Sequence, residues 1–566
     1  MDSRQDWSVQ YERCVKYWLT LYKQVTFFSD FALIKKTKTQ IMTLTQLFIF
    51  LIVIQIIHGL GTWKLYLKAD RQAWEAFVPV YNAVILMKII NRPWWWTILL
   101  FLPIVNLIMF PVVWVETARS FGKNSTTDTI LAIVSLGFYN YYLNYALDLE
   151  HVKDRSLHPK TAAGDWISSI LFAIVAATIV HTYFIQPYTI PTSSLEKSLL
   201  VGDFLFVSKF HYGARVPMTT IAAPMVHDTI PFIKKKSYLY NDHLEKKNTA
   251  FVNKLSLPYL RLPGFQKIKR NDIVVFNWPV DTMLNMRYTD RNHYKPIDKK
   301  TNYVKRAVGI PGDSLEVRDG YVYINGEQNQ LPDRAKLQFS YKIETNDGPF
   351  NNDHLTKRYG ITDLPQYNQD YSLSYFPGLT DETLSQFKNH PNVKNIESLK
   401  REPGQREKSV FPHDPNYHWN NDFFGPIYIP EAGATINLNL EVLPLYKRLI
   451  TEYEDNTLDI KGNQIYINGE VANTYTFKKD YYWMMGDNRH NSQDARSWGF
   501  VPFDHVVGKP VFIWMSWDRF GKPRWERYFT TVHGSGKPVS YLIPFLIALA
   551  AWFGFAQWRK RKKANT

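Results

Sequence analysis

Tyr303-Val304-Lys305-Arg306-Ala307-Val308-Gly309-Ile310-Pro311-Gly312-Asp313 is the stretch on which the reading of this chain turns. Lys305 stands in an apolar strand context, beside Val304 and Ala307. A lysine there has two options. It can run its stem along apolar neighbours and keep its ammonium in water, or it can hold the ammonium desolvated. Desolvation lowers a lysine pKa from ~10.4 toward neutrality. A neutral amine beside a hydroxyl can act as a general base and activate that hydroxyl as a nucleophile. The stretch alone leaves both options open.

Outward from it, short runs of alternating apolar and polar residues bounded by Gly, Pro and Asn fill the region from Gln186 to Ser540. Asp272-Ile-Val-Val-Phe276, Val322-Tyr-Ile-Asn-Gly326, Ile465-Tyr-Ile-Asn-Gly469 and Val511-Phe-Ile-Trp-Met515 are strand signals, and no long helical periodicity competes with them. Tyr-Ile-Asn-Gly-Glu occurs at 323–327 and again at 466–470, which predicts two hairpin turns built alike rather than a repeat architecture. Residues 328–458 are polar and rich in Pro, Asn and Asp, with few clear strands, and read as an inserted cap.

Of the 566 residues, 45% are hydrophobic and 16% aromatic, yet the mean hydropathy is −0.27, so most of the mass belongs in water. That combination suits a soluble domain on a few membrane spans and argues against a polytopic transporter. Cys14 is the only cysteine, which excludes an intrachain disulfide and a cysteine-ligated metal cluster. The net charge of +16 could signal nucleic-acid binding, but much of the Lys and Arg flanks apolar runs, where it sets membrane orientation. Lys234-Lys235-Lys236 and Lys246-Lys247 fit either contact with anionic lipid head groups or solvated loops.

Five apolar segments are candidates to cross a bilayer: Leu44 to Leu60, Trp94 to Val115, Thr129 to Leu143, Trp166 to Ile185 and Tyr541 to Trp558. Pro103 and Pro111 make the second a kinked or re-entrant helix, and Trp94-Trp95-Trp96 reads as an interfacial belt. The third is short and rich in Tyr and Asn, so an interfacial helix competes with a span. Arg559-Lys560-Arg561-Lys562-Lys563 and the group Lys153, Arg155 and Lys160 are cytoplasmic anchors, which puts the Gln186–Ser540 region outside. Counting back through three spans puts Lys64, Lys68, Arg71, Lys88 and Arg92 inside, and puts Lys35, Lys36 and Lys38 outside against the rule. Either residues 1–41 precede a functional start at Met42, or one early segment does not cross. The division expected is therefore an extension over 1–42, a membrane domain over 43–164, an anchor over 165–186, core parts over 187–327 and 459–530 around the 328–458 cap, a helix over 541–558 and a basic tail over 559–566.

Two further segments stand out beside the first. One is Ile190-Pro191-Thr192-Ser193-Ser194-Leu195, immediately after the fourth apolar segment. The other is Gly486-Asp487-Asn488-Arg489-His490-Asn491-Ser492-Gln493-Asp494-Ala495-Arg496. Singly each reads as a loop or turn. Together, in this order and at this distance from a span, the three segments resemble the boxes of bacterial type I signal peptidases. The resemblance covers about residues 165–315 and 459–518. It implies a mostly β catalytic domain of antiparallel sheets with an inserted cap, carried on several transmembrane helices. It further implies a serine endopeptidase, without metal or cofactor, in which Lys305 deprotonates Ser194 and Ser194 forms an acyl-enzyme. The Ser194 amide and the Thr192 hydroxyl would form the oxyanion hole, and Ser492 would orient the Lys305 amine. Arg306, Asp487, Asn488, Asp494 and Arg496 would support the loops, with Asp494 and Arg496 paired. Asp272, Ile273, Val274, Val275 and Phe276 look like the edge strand that pairs with substrate.

The pattern is departed from at several places. Ser193 stands where the family has Gly, Leu195 where it has Met, and Lys197, preceded by Glu196, where it has Pro. His490 replaces an acidic residue and Ala495 a Ser. Ser193 and Lys197 thus offer a rival hydroxyl and a rival amine. The implied partners are the signal peptides of exported preproteins, membrane lipid and a neighbouring secretion translocon, with no nucleic acid. The implied location is a bacterial inner membrane, multi-pass, with the catalytic domain facing the periplasm. A self-cleaving Ser-Lys peptidase and a catalytically silent membrane scaffold are the alternatives; spans on both sides of the domain speak against the first, and the retained hydroxyls and amine against the second.

Overall fold

A computed structural model describes residues 43–159, 161–282 and 293–564; the 1–42 extension, with Met42, and the flanking Lys160 lie outside the described residues. Helix α1 (Leu44–Lys68) starts at a capping box, in which the Thr43 hydroxyl accepts from the Gln46 amide and the Gln46 side chain accepts from the Thr43 amide. Short helices follow: α2 (Tyr81–Ile89), α3 (Trp96–Phe101), α4 (Asn106–Ser120), α5 (Thr126–Val134) and α6 (Tyr139–Tyr145). Then come α7 (Ala162–Ile179) and, near the end of the chain, α8 (Leu542–Ala564). Among the described residues, three helical stretches are long and apolar enough to cross a membrane: Thr45–Lys68, Ala162–Phe184 and Leu542–Lys562.

The second and third apolar segments are not spanning helices. At Pro103 the helix breaks, Ile104 taking a φ of 71°, so that α3 and α4 are separate short helices. Leu136 and Gly137, with φ values of 52° and 86°, do the same between α5 and α6. At ~1.5 Å per residue the pieces are too short for a ~30 Å hydrocarbon layer. Gly137 is required here, because a methyl group on it would stand 2.6 Å from the Trp114 ring. Glu116 ties the unit together, accepting from Arg92 at 2.8 Å and from Arg155 at 2.6 Å.

From α7 the chain passes through a wider helical turn, Val180–Phe184, directly into the catalytic sheet. Its strands are β1 (Ile185–Thr189), β2 (Asp203–Ser208), β3 (Ile273–Asn277), β4 (Asn302–Gly309), β5 (Tyr481–Met485), β6 (Val501–Pro502), β7 (Val506–Ser516) and β8 (Thr530–Thr531). The order is β1-β2-β7-β3-β4-β5-β6, with β8 on β7. Strand β7 changes partner along its length, pairing Lys509 to Ser516 with β2 and Val506 to Gly508 with β3. Both faces of β3 are covered: Val274 and Phe276 enter one core with Ala307 and Met484, and Ile273 and Val275 enter another with Leu195 and Leu205. That is why Ile-Val-Val-Phe reads as a continuous apolar run.

Asp272 to Phe276, expected as an edge strand, instead lies inside the sheet: β3 stands between β7 and β4 with Ile273–Asn277 buried, paired by β4 along its length and by β7 at Val275 and Phe276.

The twin Asn-Gly turns are present. Asn325 and Gly326 have φ of 53° and 89°, and Asn468 and Gly469 have 53° and 91°. Two consecutive residues with φ > 0 match the twist of the flanking strands, which Asn-Gly accommodates with little strain. The 328–458 region is more regular than its composition suggests. Val393–Ser398, Phe339–Thr345, Leu373–Leu379 and Gln366–Tyr367 form a four-stranded sheet with its own core of Phe339, Ile343, Leu355, Ile361, Phe376 and Phe387. Residues from Val410 onward instead join a core with Leu315, Val322 and Trp483, and Phe424–Tyr428 pairs with Ser314–Arg318.

Candidate active site

Strand β1 leads the chain from α7 to Ile190, whose amide and carbonyl bond Asp203 and Gly202 and so seat the following turn on the start of β2. The turn places Ser194 in the interior while Pro191 and Thr192 stay exposed. Strand β4 brings Lys305 to it through the protein core. The Lys305 Nζ and Ser194 Oγ are 2.5 Å apart, and both side chains are buried. Burial lowers the Lys305 amine from its ordinary 10.5 to about 8; nearby Asp494 opposes the drop, and Arg496 reinforces it. The desolvated alternative for this lysine therefore holds, and the pair can exchange a proton near neutral pH.

Among the described residues the Ser194 amide has no acceptor, and the Thr192 hydroxyl makes no hydrogen bond. The Ser194 carbonyl accepts from the Asn488 amide at 3.1 Å. Gly486 closes the space behind: a methyl group there would stand 2.2 Å from Ser492 Oγ and 2.6 Å from the Ser194 carbonyl. Ser492 is therefore beside the pair, but its buried hydroxyl has no partner among the described residues. The expected hydrogen bond between Ser492 and the Lys305 amine is not formed; the amine bonds Ser194.

The supporting residues form two buried ion pairs. Arg306 holds Asp487 through contacts of 2.6 Å and 2.8 Å, and Arg496 holds Asp494 at 2.7 Å and 2.9 Å. Asp494 also accepts from the Gly486 amide at 3.1 Å, fixing the turn under Ser194. Despite their burial, both carboxyls sit below the usual carboxylate range because of these guanidinium partners. Ser198 escaped the sequence reading. Its hydroxyl accepts from Arg306 at 3.0 Å and donates to Asp487 at 2.9 Å, so it links the Ser194 turn to the first ion pair. Only its spacing of one short turn from Ser194 could have pointed to it.

The rival groups are engaged elsewhere. Ser193 Oγ donates to Asp363 at 2.7 Å, and the half-buried Lys197 amine donates to the Gly360 carbonyl. His490 accepts the Ser340 amide at 3.1 Å on Nδ1, which leaves Nε2 to donate to Asp422 at 2.8 Å.

Strand β4 is paired unequally on its two sides near the pair. It pairs with β3 from Asn302 to Arg306, whereas on its other side the ladder with β5 begins only at Arg306.

Comparison with known proteins agrees with this geometry. The family described as "Signal peptidase, peptidase S26" matches residues 163–373 and 450–517, and a family of unknown function matches residues 74–154. Among curated relatives, Signal peptidase I of Buchnera aphidicola subsp. Acyrthosiphon pisum is 24% identical over 69% of this chain and 91% of its own. Signal peptidase I of Buchnera aphidicola subsp. Baizongia pistaciae is 25% identical over 60% of this chain and 73% of its own. That of Haemophilus influenzae is 23% identical over 68% and 80%. With these matches across both halves of the catalytic sheet, the chain belongs to the type I signal peptidase family of membrane-bound serine endopeptidases.

Proposed function

We propose that this protein removes N-terminal signal peptides from exported preproteins by a Ser194/Lys305 mechanism with an acyl-enzyme intermediate. The observation that carries it is the 2.5 Å contact between two buried groups, an amine brought near neutrality and a hydroxyl. The neutral amine takes the Ser194 proton as Oγ attacks the scissile carbonyl. The ammonium formed then gives that proton to the leaving amine as the C–N bond breaks. Water, deprotonated by the same amine, cleaves the acyl-serine ester and frees Ser194. The Ser194 amide and the Thr192 hydroxyl, both without acceptors, hold the oxyanion. The extended segment before the scissile bond lies along β4 on the side where the ladder with β5 begins only at Arg306.

The domain lies on the periplasmic side of a bacterial inner membrane, near the translocon that delivers its substrates. Basic residues around α7 and α8 support that orientation. The catalytic part meets lipid through a finger at 229–236, whose tip carries exposed Phe232 and Ile233 beside Lys234 and Lys235. Two other basic residues do not serve there: Lys236 is paired with Asp242 at 2.5 Å, and Lys247 lies over the Tyr294 ring at 3.5 Å.

The test is cleavage of a labelled preprotein by the detergent-solubilised protein. Ser194→Ala and Lys305→Arg should each abolish product, since a guanidinium stays protonated. Product from Ser194→Ala, with none from Ser193→Ala, would move the nucleophile to Ser193.

A further inference from the structure

Of the residues by which the nucleophile turn departs from its family pattern, Ser193, Glu196 and Lys197 bond the inserted region, while Leu195 packs into the core beneath. Ser193 donates to Asp363 at 2.7 Å, and Asn491 donates to both, at 2.8 Å to Asp363 and 3.0 Å to Ser193. Glu196 accepts from the Thr362 hydroxyl, and Lys197 donates to the Gly360 carbonyl. His490, in the box that carries Gly486 and Asn488, bonds Ser340 and Asp422. The same box is zipped to the start of the insert: the Gln338 amide donates to the Asp487 carbonyl at 3.0 Å, and the Arg489 amide to the Gln338 carbonyl at 2.9 Å.

The loop that supplies Gly360, Thr362 and Asp363 is itself anchored. It follows helix Asn352–Tyr359, and Ile361 is buried in the insert's core with Leu355 and Phe387. A polar side chain on such a loop is held by packed side chains rather than free to follow its partner. The turn bearing Ser194 is therefore gripped from both sides, by β1 and β2 beneath and by the insert above.

We propose that the inserted sheet, residues 338–398, holds the nucleophile turn in its reactive geometry, with Asp363 as a positioning residue acting on Ser194 through Ser193. The inference rests on Ser194 and Lys305 being the reacting pair. Asp363 touches neither of them. Its effect is on where the Ser194 hydroxyl stands relative to the amine, and a displacement of the order of 1 Å costs up to ~100-fold in rate.

The experiment measures steady-state cleavage of a preprotein by the full-length protein in detergent. Asp363→Ala and Ser193→Ala should each lower kcat by roughly 10- to 100-fold with KM within about twofold. Their combination should be no slower than the slower single variant, because both remove one link. Asp363→Asn, which keeps an acceptor oxygen for Ser193, should recover most of the rate. Thermal melting of each variant checks that it is folded, and Ser193→Ala carries the test if Asp363→Ala does not fold. Unchanged kcat in the folded variants, a loss confined to KM, or an Asp363→Asn as slow as Asp363→Ala would each overturn the proposal. Activity remaining in Ser194→Ala would instead overturn the reading on which it rests.

Discussion

Keeping an ammonium in the core should make this protein less stable than it could be, and Lys305→Met exposes that cost. Burial takes the Lys305 amine from 10.5 to about 8. At ~1.36 kcal/mol per pH unit, the drop corresponds to about 3 kcal/mol against the charged form. Between those two values the unfolded chain holds a proton that the folded chain has released, so stability rises with pH there, and below about pH 8 the folded state carries the whole cost. Methionine fills a similar volume without a charge. Its removal of the hydrogen bond to Ser194 costs about 1 kcal/mol, so the variant should be more stable by about 2 kcal/mol at pH 7. The pH dependence is the sharper signature. From pH 7 to pH 9.5 the advantage should shrink by about 2 kcal/mol, as the folded wild-type amine sheds its proton and no longer carries a buried charge. Guanidinium unfolding in detergent, followed by tryptophan fluorescence at several pH values, measures it. An advantage that stays constant or grows with pH would refute the desolvated amine, and with it the basis for Lys305 as a base.

Because the reaction needs the amine unprotonated, kcat/KM should rise through an acid limb near pH 8, with about a tenth of the amine neutral at pH 7; an acid limb in the carboxylate range, at pH 4–5, would point to another base. Protease added to intact spheroplasts should digest the 186–540 region and spare a tag placed after Lys563. With neither α3–α4 nor α5–α6 crossing, it should also reach a tag placed just before Thr43. Protection of the 186–540 region would contradict the orientation.

How much of this was legible depends on the distance over which each feature is decided. The Asn-Gly turns at 325–326 and 468–469 could be read directly, since φ > 0 at two adjacent residues is a matter of their own backbone and side-chain sterics. Three uninterrupted apolar runs likewise became helices of spanning length, each satisfying its own backbone hydrogen bonds. Pro103 marked the α3–α4 break correctly, whereas the break at Leu136–Gly137 depends on the packing of Gly137 against Trp114 and had no such marker.

Only the tertiary structure decided where each strand lies in the sheet. Asp272 to Phe276 and Tyr303 to Val308 both read as strands, and nothing local says where either stands in the order of the sheet. The same holds for the polar contacts. Ser194 and Lys305 are 111 residues apart, and Ser193 and Asp363 are 170 apart, so no local preference encodes either meeting. By itself the sequence determined the Asn-Gly turns, the three uninterrupted apolar helices and the family of boxes, because those follow from nearest-neighbour chemistry and composition. The fold decided that Lys305 is desolvated, that Ser193 is occupied, and that an insert with a core of its own grips the nucleophile turn, because burial and partnership belong to the packed chain.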